Sequence, residues 1–206
     1  SQTKGKGRIG RAWHSPPKLN LYTSAILRPP WPPTKGPSLT LAAAVAVAET
    51  LEDLYRLRPQ IKWPNDILLN GKKVSGILTE MNTEQDQINF IILGIGINAN
   101  SLDSDFPPSL RGQATSIRRV LGRTVDRAEC AAALYDHLDK CYTLLRNRSL
   151  DSIRERWEAR SSLTGKIVQV SGPEGVLRGR ARALDEDGAS LSRPRTGGRN
   201  GSYPEM

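Results

Sequence analysis

Gln60-Ile61-Lys62-Trp63-Pro64-Asn65-Asp66-Ile67-Leu68-Leu69-Asn70-Gly71-Lys72-Lys73-Val74-Ser75-Gly76-Ile77-Leu78-Thr79-Glu80-Met81 is the stretch that decides the fold. Gln60 to Trp63 reads as a short strand, and Pro64-Asn65-Asp66 as a turn. Ile67-Leu68-Leu69 and Lys72 to Met81 flank Asn70-Gly71, a pair suited to a two-residue type I′ hairpin turn. Strands joined this tightly form an antiparallel ladder. Ile88 to Ile97 is a further strong strand, and Asn20 to Leu27 another, ended by Pro29-Pro30-Trp31-Pro32-Pro33.

Between these strands lies a helix. Ser38 is its expected cap, and Leu39, Leu41, Ala42, Val45, Ala46, Ala48, Leu51 and Leu54 give a broad apolar face. Pro59 is expected to stop it. Helix signals return at 126–146 and 149–159, and Ala114-Thr115-Ser116 is placed to cap a helix that follows. Thr164 to Leu191 then breaks into short strands punctuated by glycine. The fold class is therefore α+β, with a mixed β-sheet core flanked by helices and a small C-terminal β-barrel-like appendage. The boundary is expected near 160–164. Residues 192–206 carry almost no apolar side chains and read as a disordered tail.

Composition narrows the function. The chain has 206 residues, 37% of them hydrophobic and 25% charged, in the range of a globular protein. The longest mainly apolar run, Leu39 to Ala48, is too short to span a bilayer. The formal net charge of +9 favours an anionic partner. The excess gathers at 4–11 and 178–199 and not along one helical face, which weakens a nucleic-acid reading. Cys130 and Cys141 sit roughly 16 Å apart along one predicted helix, too far to bond, and read as reduced core residues. With His14 and His137 isolated, the pattern argues against a structural zinc site, and no metal ligands are assigned.

Gly5-Lys6-Gly7-Arg8-Ile9-Gly10 matches the spacing of the dinucleotide fingerprint. That fingerprint requires a helix immediately afterwards, and Pro16-Pro17 after Arg11-Ala12-Trp13-His14-Ser15 excludes one. The better reading is a mobile anion-binding loop. Glycines let backbone N–H groups converge on phosphate, while Lys4, Lys6, Arg8 and Arg11 supply charge. Lys62 is fixed just before the restricted Trp63-Pro64 backbone, where it can neutralise a carboxylate and a phosphate brought together. Taken alone it reads better as a strand-end lysine facing water. Gly71-Lys72-Lys73 lacks the residues of a phosphate-binding loop and reads as a hairpin turn with solvated lysines. Gly76-Ile77-Leu78 offers a backbone for close approach of a small ligand. Asn98, in Gly94-Ile95-Gly96-Ile97-Asn98, is placed either to read a purine edge or to form an Asx turn. Trp13 is placed either to stack on a base or to pack in the core.

In this order the motifs resemble the biotin protein ligases, also called biotin–[acetyl-CoA-carboxylase] ligases. The likeness covers about residues 1–191. It rests on Gln2 to Arg11, Lys62 to Asp66, Gly76-Ile77-Leu78 and Gly94 to Asn98, with support from Asn20-Leu21-Tyr22. The resemblance implies a fold like that of the class II synthetases with an SH3-like C-terminal barrel. It divides the chain into a catalytic domain over 1–160, an incomplete barrel over 161–191 and the tail. It implies that ATP and biotin give biotinyl-5′-adenylate, with Mg²⁺ on the ATP phosphates. Biotin then passes to a lysine of the biotin carboxyl carrier domain of acetyl-CoA carboxylase. Lys62 and Arg8 would be catalytic. Gln2, Lys6, Gly7, Arg8, Lys62, Gly76, Ile77 and Leu78 would hold biotin or adenylate, and Arg11, Trp13 and Asn98 would hold ATP. A cytoplasmic location is expected, and a homodimer is left open.

Three departures stand out. Lys6 replaces the usual arginine, keeping charge but losing the bidentate fork. The family's upstream biotin-binding segment is absent, so the chain is expected to be a piece of a longer protein. The last barrel strands give way to a glycine-arginine tail. The rivals are a lipoate or octanoate ligase or transferase of the same fold, and a biotin-sensing repressor with a helix-turn-helix ahead of Ser1. A third rival is a basic nucleic-acid-binding module, which leaves Lys62 and the buried strand ends without a role.

Overall fold

A computed structural model of the chain describes residues 1–147, 149–172, 175–184 and 190–194. Its centre is a five-stranded sheet in the order β1-β5-β4-β3-β2. The strands are β1 (Leu21–Leu27), β2 (Gln60–Lys62), β3 (Asp66–Leu69), β4 (Lys72–Glu84) and β5 (Gln87–Ile97). Every adjacent pair is antiparallel. This corrects the expectation of a mixed sheet. Tight turns join β2 through β5, which forces antiparallel neighbours, and the long connection through α1 (Ser38–Tyr55) separates β1 and β2 to opposite edges. Among the described residues parallel pairing survives only as isolated bridges, Ile61 with Ser161 and Lys73 with Ala114. Asn70 and Gly71 both take positive φ, 51° and 75°, as a type I′ turn requires.

One face of the sheet carries the core. Ile61, Ile67, Ser75 and Ile97 lie in one cross-strand row, all buried. α1 packs on that face and is itself covered by α3 (Arg127–Arg146) and α4 (Leu150–Glu158). That position explains why Leu39 and Leu41 to Leu51 are buried on every side, and why so many are alanine: small side chains let helices approach closely. Glu49 in that stretch accepts a hydrogen bond from Arg156 Nε at 2.8 Å, a buried charge with a partner.

Two helix boundaries differ from expectation. Ser38 is the first helical residue, its hydroxyl donating to Lys35 O at 2.6 Å, and Pro37 takes the cap position. α1 ends at Tyr55, short of Pro59, because Arg56 turns left-handed with φ 55°. Its N–H donates to Glu52 O and that of Leu57 to Leu51 O, closing the last turn. Ser116 does cap a short α2 (Ile117–Leu121), accepting from Arg119 N. Asp126 caps α3. Cys130 and Cys141 are buried and free.

After α4 the chain forms a three-stranded antiparallel sheet, β6 (Ile167–Gly172), β7 (Gly175–Leu184) and β8 (Ser190–Pro194). β8 runs through Ser192 to Pro194, so the predicted tail begins as a paired strand; the backbone can extend there whatever the side-chain polarity. The rest of the tail, 195–206, lies outside the described residues. β7 is tied to α4, where Arg154 donates to Leu184 O at 3.0 Å and Leu184 N donates to Glu158 at 3.0 Å.

Candidate ligand-binding cleft

The site lies on the sheet face opposite α1. Strand alternation puts Lys62, Asp66, Gly76, Gly96 and Tyr22 in one row across all five strands. Leu78, Gly94 and Ser24 form the next row on that face, and Glu80, Ile92 and Ile26 the one after. Glycines at 76, 94 and 96 remove side chains from the middle of the floor. A cleft of about 200 Å³ opens there.

Residues 5–13 form its roof. The segment read as a mobile loop folds into a short hairpin in the structure. Trp13 N donates to Gly5 O at 2.8 Å and Gly7 N to Arg11 O at 2.6 Å. Ile9 and Gly10, with φ 55° and 70°, make the turn. Lys6 reaches across the cleft to Glu80 at 3.3 Å. A larger recess of about 630 Å³ lies under the hairpin, shares Lys6, Gly7, Arg8, Leu78 and Glu80 with the cleft, and also takes in Arg11.

Trp13 lies flat on the glycine floor. A Cβ built on Gly96 would stand 2.6 Å from its ring, and one on Gly76 2.7 Å. The indole Nε1 is buried and has no hydrogen-bond acceptor among the described residues. Part of the cleft is therefore filled by the protein's own side chain, which keeps its volume below the range of about 300–1,000 Å³ usual for ligand sites.

Of the residues singled out in the sequence, Gln2, Lys6, Gly7, Arg8, Trp13, Gly76, Ile77 and Leu78 line the cleft together. Gln2 is held by a hydrogen bond from Ser15 at 3.2 Å. Asn65 donates to Ile77 O at 2.7 Å and locks the turn after β2 onto β4. Lys62 stands exposed at the outer end of the floor row, beside Asp66, and does not line the cleft. Asn98 lies elsewhere. It is buried, its carboxamide donates to Thr115 O at 3.0 Å, and its backbone N–H to Val74 O at 2.8 Å. Its side-chain N–H is committed to the fold, because the chain leaving β5 meets the segment before α2 there.

The sequence reading missed Lys73. It is not a solvated turn lysine: its ammonium lines the cleft, 2.5 Å from Asp66 and 5.3 Å from the Trp13 ring centroid. Among the described residues no group of three or more His, Cys, Asp or Glu is arranged to hold a metal. No described helix is long and apolar enough to cross a membrane.

The fold and the cleft define a class: an α+β domain with a glycine-floored cleft on the open face of an antiparallel sheet, under a cationic hairpin. The chain belongs to the biotin/lipoate A/B protein ligase family, whose model matches residues 1–98. It is 40% identical over 190 residues to the bifunctional ligase/repressor BirA of Bacillus subtilis, covering 92% of this chain and 58% of that protein. It is 31% identical over 192 residues to the biotin–[acetyl-CoA-carboxylase] ligase of Mycobacterium tuberculosis, covering 91% and 68%. Among solved structures, the biotin protein ligase of Aquifex aeolicus in complex with biotin and ATP aligns with a TM-score of 0.80 and 31% identity, covering 93% of this chain and 78% of that one. The chain thus spans little more than half the length of the bifunctional relatives it matches.

Proposed function

We propose that this chain carries the biotin-activating site of an ATP-dependent biotin–protein ligase. Biotin and ATP combine to biotinyl-5′-adenylate and pyrophosphate, and the acyl group then passes to a lysine of a biotin carboxyl carrier domain. The observation that carries this reading is the glycine-floored cleft roofed by Lys6, Gly7 and Arg8. The names of the relatives support it. Attack of the biotin carboxylate on the α-phosphate brings two anions together and needs no enzyme nucleophile, so positioning and charge neutralisation suffice. Arg8 and Lys6 on the roof and Lys62 at the end of the floor row supply that charge. For Lys62 this requires the ligand to extend along the row beyond Asp66. Arg11, in the recess, suits the outgoing phosphates. Mg²⁺ enters on the ATP phosphates, which fits a site with isolated carboxylates and no built cage. A roof closed over the adenylate keeps water from hydrolysing it.

The division into a catalytic unit over 1–160 and an SH3-like barrel over 161–191 belongs to the same reading, as do a class II synthetase-like core and a cytoplasmic location. The three antiparallel strands after α4 support the barrel. Biotin, lipoate and octanoate, each offered with ATP and Mg²⁺, separate the acyl substrates by pyrophosphate release, and labelled biotin offered with a carrier domain tests transfer. Release with biotin alone is the expected outcome; release with lipoate instead would overturn it. The repressor reading is favoured by one observation, the bifunctional names of the 40% identical relatives. Biotin-dependent binding of the parent protein to its own promoter would establish it.

A further inference from the structure

We propose that Glu80 is the catalytic base of the second step, taking the proton from the carrier's lysine nitrogen as the amide bond forms; this rests on the ligase reading above. The chemistry sets the need. A lysine with an ordinary pKa of about 10.4 arrives as an ammonium ion. It first gives one proton to water, and the cations of the roof favour that loss because they disfavour a further positive charge. The free amine then attacks the acyl carbon. The new C–N bond leaves a positively charged, acidic nitrogen, whose second proton must pass to a base. The acyl C–O bond to the phosphate breaks, and its electron pair leaves with AMP. A carrier domain docked over the mouth displaces the water that could take this proton, so a protein group has to accept it.

Glu80 is placed for that task. Among the described residues that line the cleft or the adjoining recess it is the sole carboxylate, and neither histidine nor cysteine joins it. Asp66 lies outside both linings and is paired with Lys73 at 2.5 Å. Gly76, Leu78 and Glu80 follow one another on the cleft face of β4, and β3 pairs with β4 no farther than Gly76. Glu80 therefore stands beyond the end of β3, with 49% of its side chain exposed. A carboxylate at the centre of the floor would be out of reach of another protein's side chain; this one stands at the open end.

Its described partner is the Lys6 ammonium, 3.3 Å away. Lys6 belongs to the charge that gathers the reacting anions, so an acyl phosphate bound to Lys6 is brought beside the Glu80 carboxylate. As Lys6 turns to that anion, a Glu80 oxygen is released to face the incoming nitrogen. After transfer the carboxylic acid returns its proton to water and the pair re-forms. A latch that only holds the roof down would use the same ion pair, so the test has to separate the two roles.

The two steps are followed separately in the wild-type chain, Glu80→Gln, Glu80→Asp and Lys6→Gln. Pyrophosphate release with biotin and ATP reports activation. Single-turnover decay of preformed biotinyl-5′-adenylate reports transfer, either to a biotin carboxyl carrier domain or to hydroxylamine. Hydroxylamine is small and uncharged at neutral pH, and it leaves water free to take the proton. We expect Glu80→Gln to slow transfer to the carrier about 100-fold more than it slows pyrophosphate release. Transfer to hydroxylamine should slow far less, and Glu80→Asp should recover part of the carrier rate. Equal losses with carrier and hydroxylamine overturn the proposal, as does an undiminished carrier rate in Glu80→Gln. So does the same carrier-selective loss in Lys6→Gln, since that would show that only the ion pair matters. Should Glu80→Gln fail to fold by circular dichroism, Glu80→Ala takes its place on the same criteria. A wild-type chain that neither releases pyrophosphate with biotin nor transfers from the supplied adenylate sinks the ligase reading itself, and with it this role.

Discussion

Gly96 lacks a side chain because the Trp13 ring occupies that space. Gly96→Ala places a methyl 2.6 Å from the ring, so the indole must move. We expect little loss of stability but a red-shifted component in tryptophan emission, absent when Trp13→Phe is combined with it; an unchanged spectrum would contradict the placement. The same contact predicts that biotin binding alters Trp13 emission in the wild type. Glu49 makes the opposite case. Buried on α1 where α3 and α4 cover it, it accepts from Arg156, lies 3.6 Å from Arg160 and 3.5 Å from His137. Glu49→Ala removes the anion that Arg156 and Arg160 share, and we expect a loss of about 2–3 kcal/mol, read from urea unfolding.

The roof hairpin carries a local conflict. Ile9, a β-branched residue 90% exposed, is held at φ 55°. A left-handed conformation costs such a residue about 1–2 kcal/mol, and no packing offsets it at that exposure. Ile9→Gly is therefore expected to strengthen the hairpin by about 1 kcal/mol, seen as slower hydrogen exchange at the Gly7 and Trp13 amides that close it. Slower exchange with slower product release would also show that the roof must open in the catalytic cycle. Faster exchange would show that the isoleucine is accommodated. The strain sits in the element that roofs the cleft, where a marginally stable structure can open and close.

Two features hold the molecule together at large. Leu184 of β7 is only 2% exposed and packs in the main core, while its backbone is bonded to α4. Leu184→Ala is expected to cost about 2–4 kcal/mol and to loosen the small sheet from the body, measurable as earlier proteolysis beyond Leu163. The second is the buried thiols between α1, α3 and α4. Burial pushes the Cys141 thiol up to about 11, with Arg156 pulling the other way and Glu49 adding to the rise. Burial likewise raises Cys130, with the neighbouring Tyr55 hydroxyl pulling the other way. A raised pKa means the folded state keeps a proton that the unfolded chain loses. Stability from these groups is thus complete below the ordinary thiol pKa and falls as pH climbs toward 11. We expect a lower urea midpoint at pH 10 than at pH 8, and slow reaction of both thiols in the native protein.

Local chemistry was legible in the sequence. Alternation marked the strands, Asn70-Gly71 the turn, Ala114-Thr115-Ser116 a cap, and the glycine-cation pattern of 5–11 the cationic segment over the cleft, because each depends on neighbours within a few residues. The antiparallel sheet, the early stop of α1 at Arg56 and the all-round burial of α1 were decided by what packs against them. So was the fate of the polar candidates. Asn98 was fixed by Thr115 and Val74, and Lys73 was turned into the cleft by one unpaired valine, Val74, between the Ile67–Ser75 and Leu68–Lys73 pairs. A strand's register sets which face each side chain meets, and a single extra residue resets it; no count along the chain shows where that residue falls until the partner strand is in place.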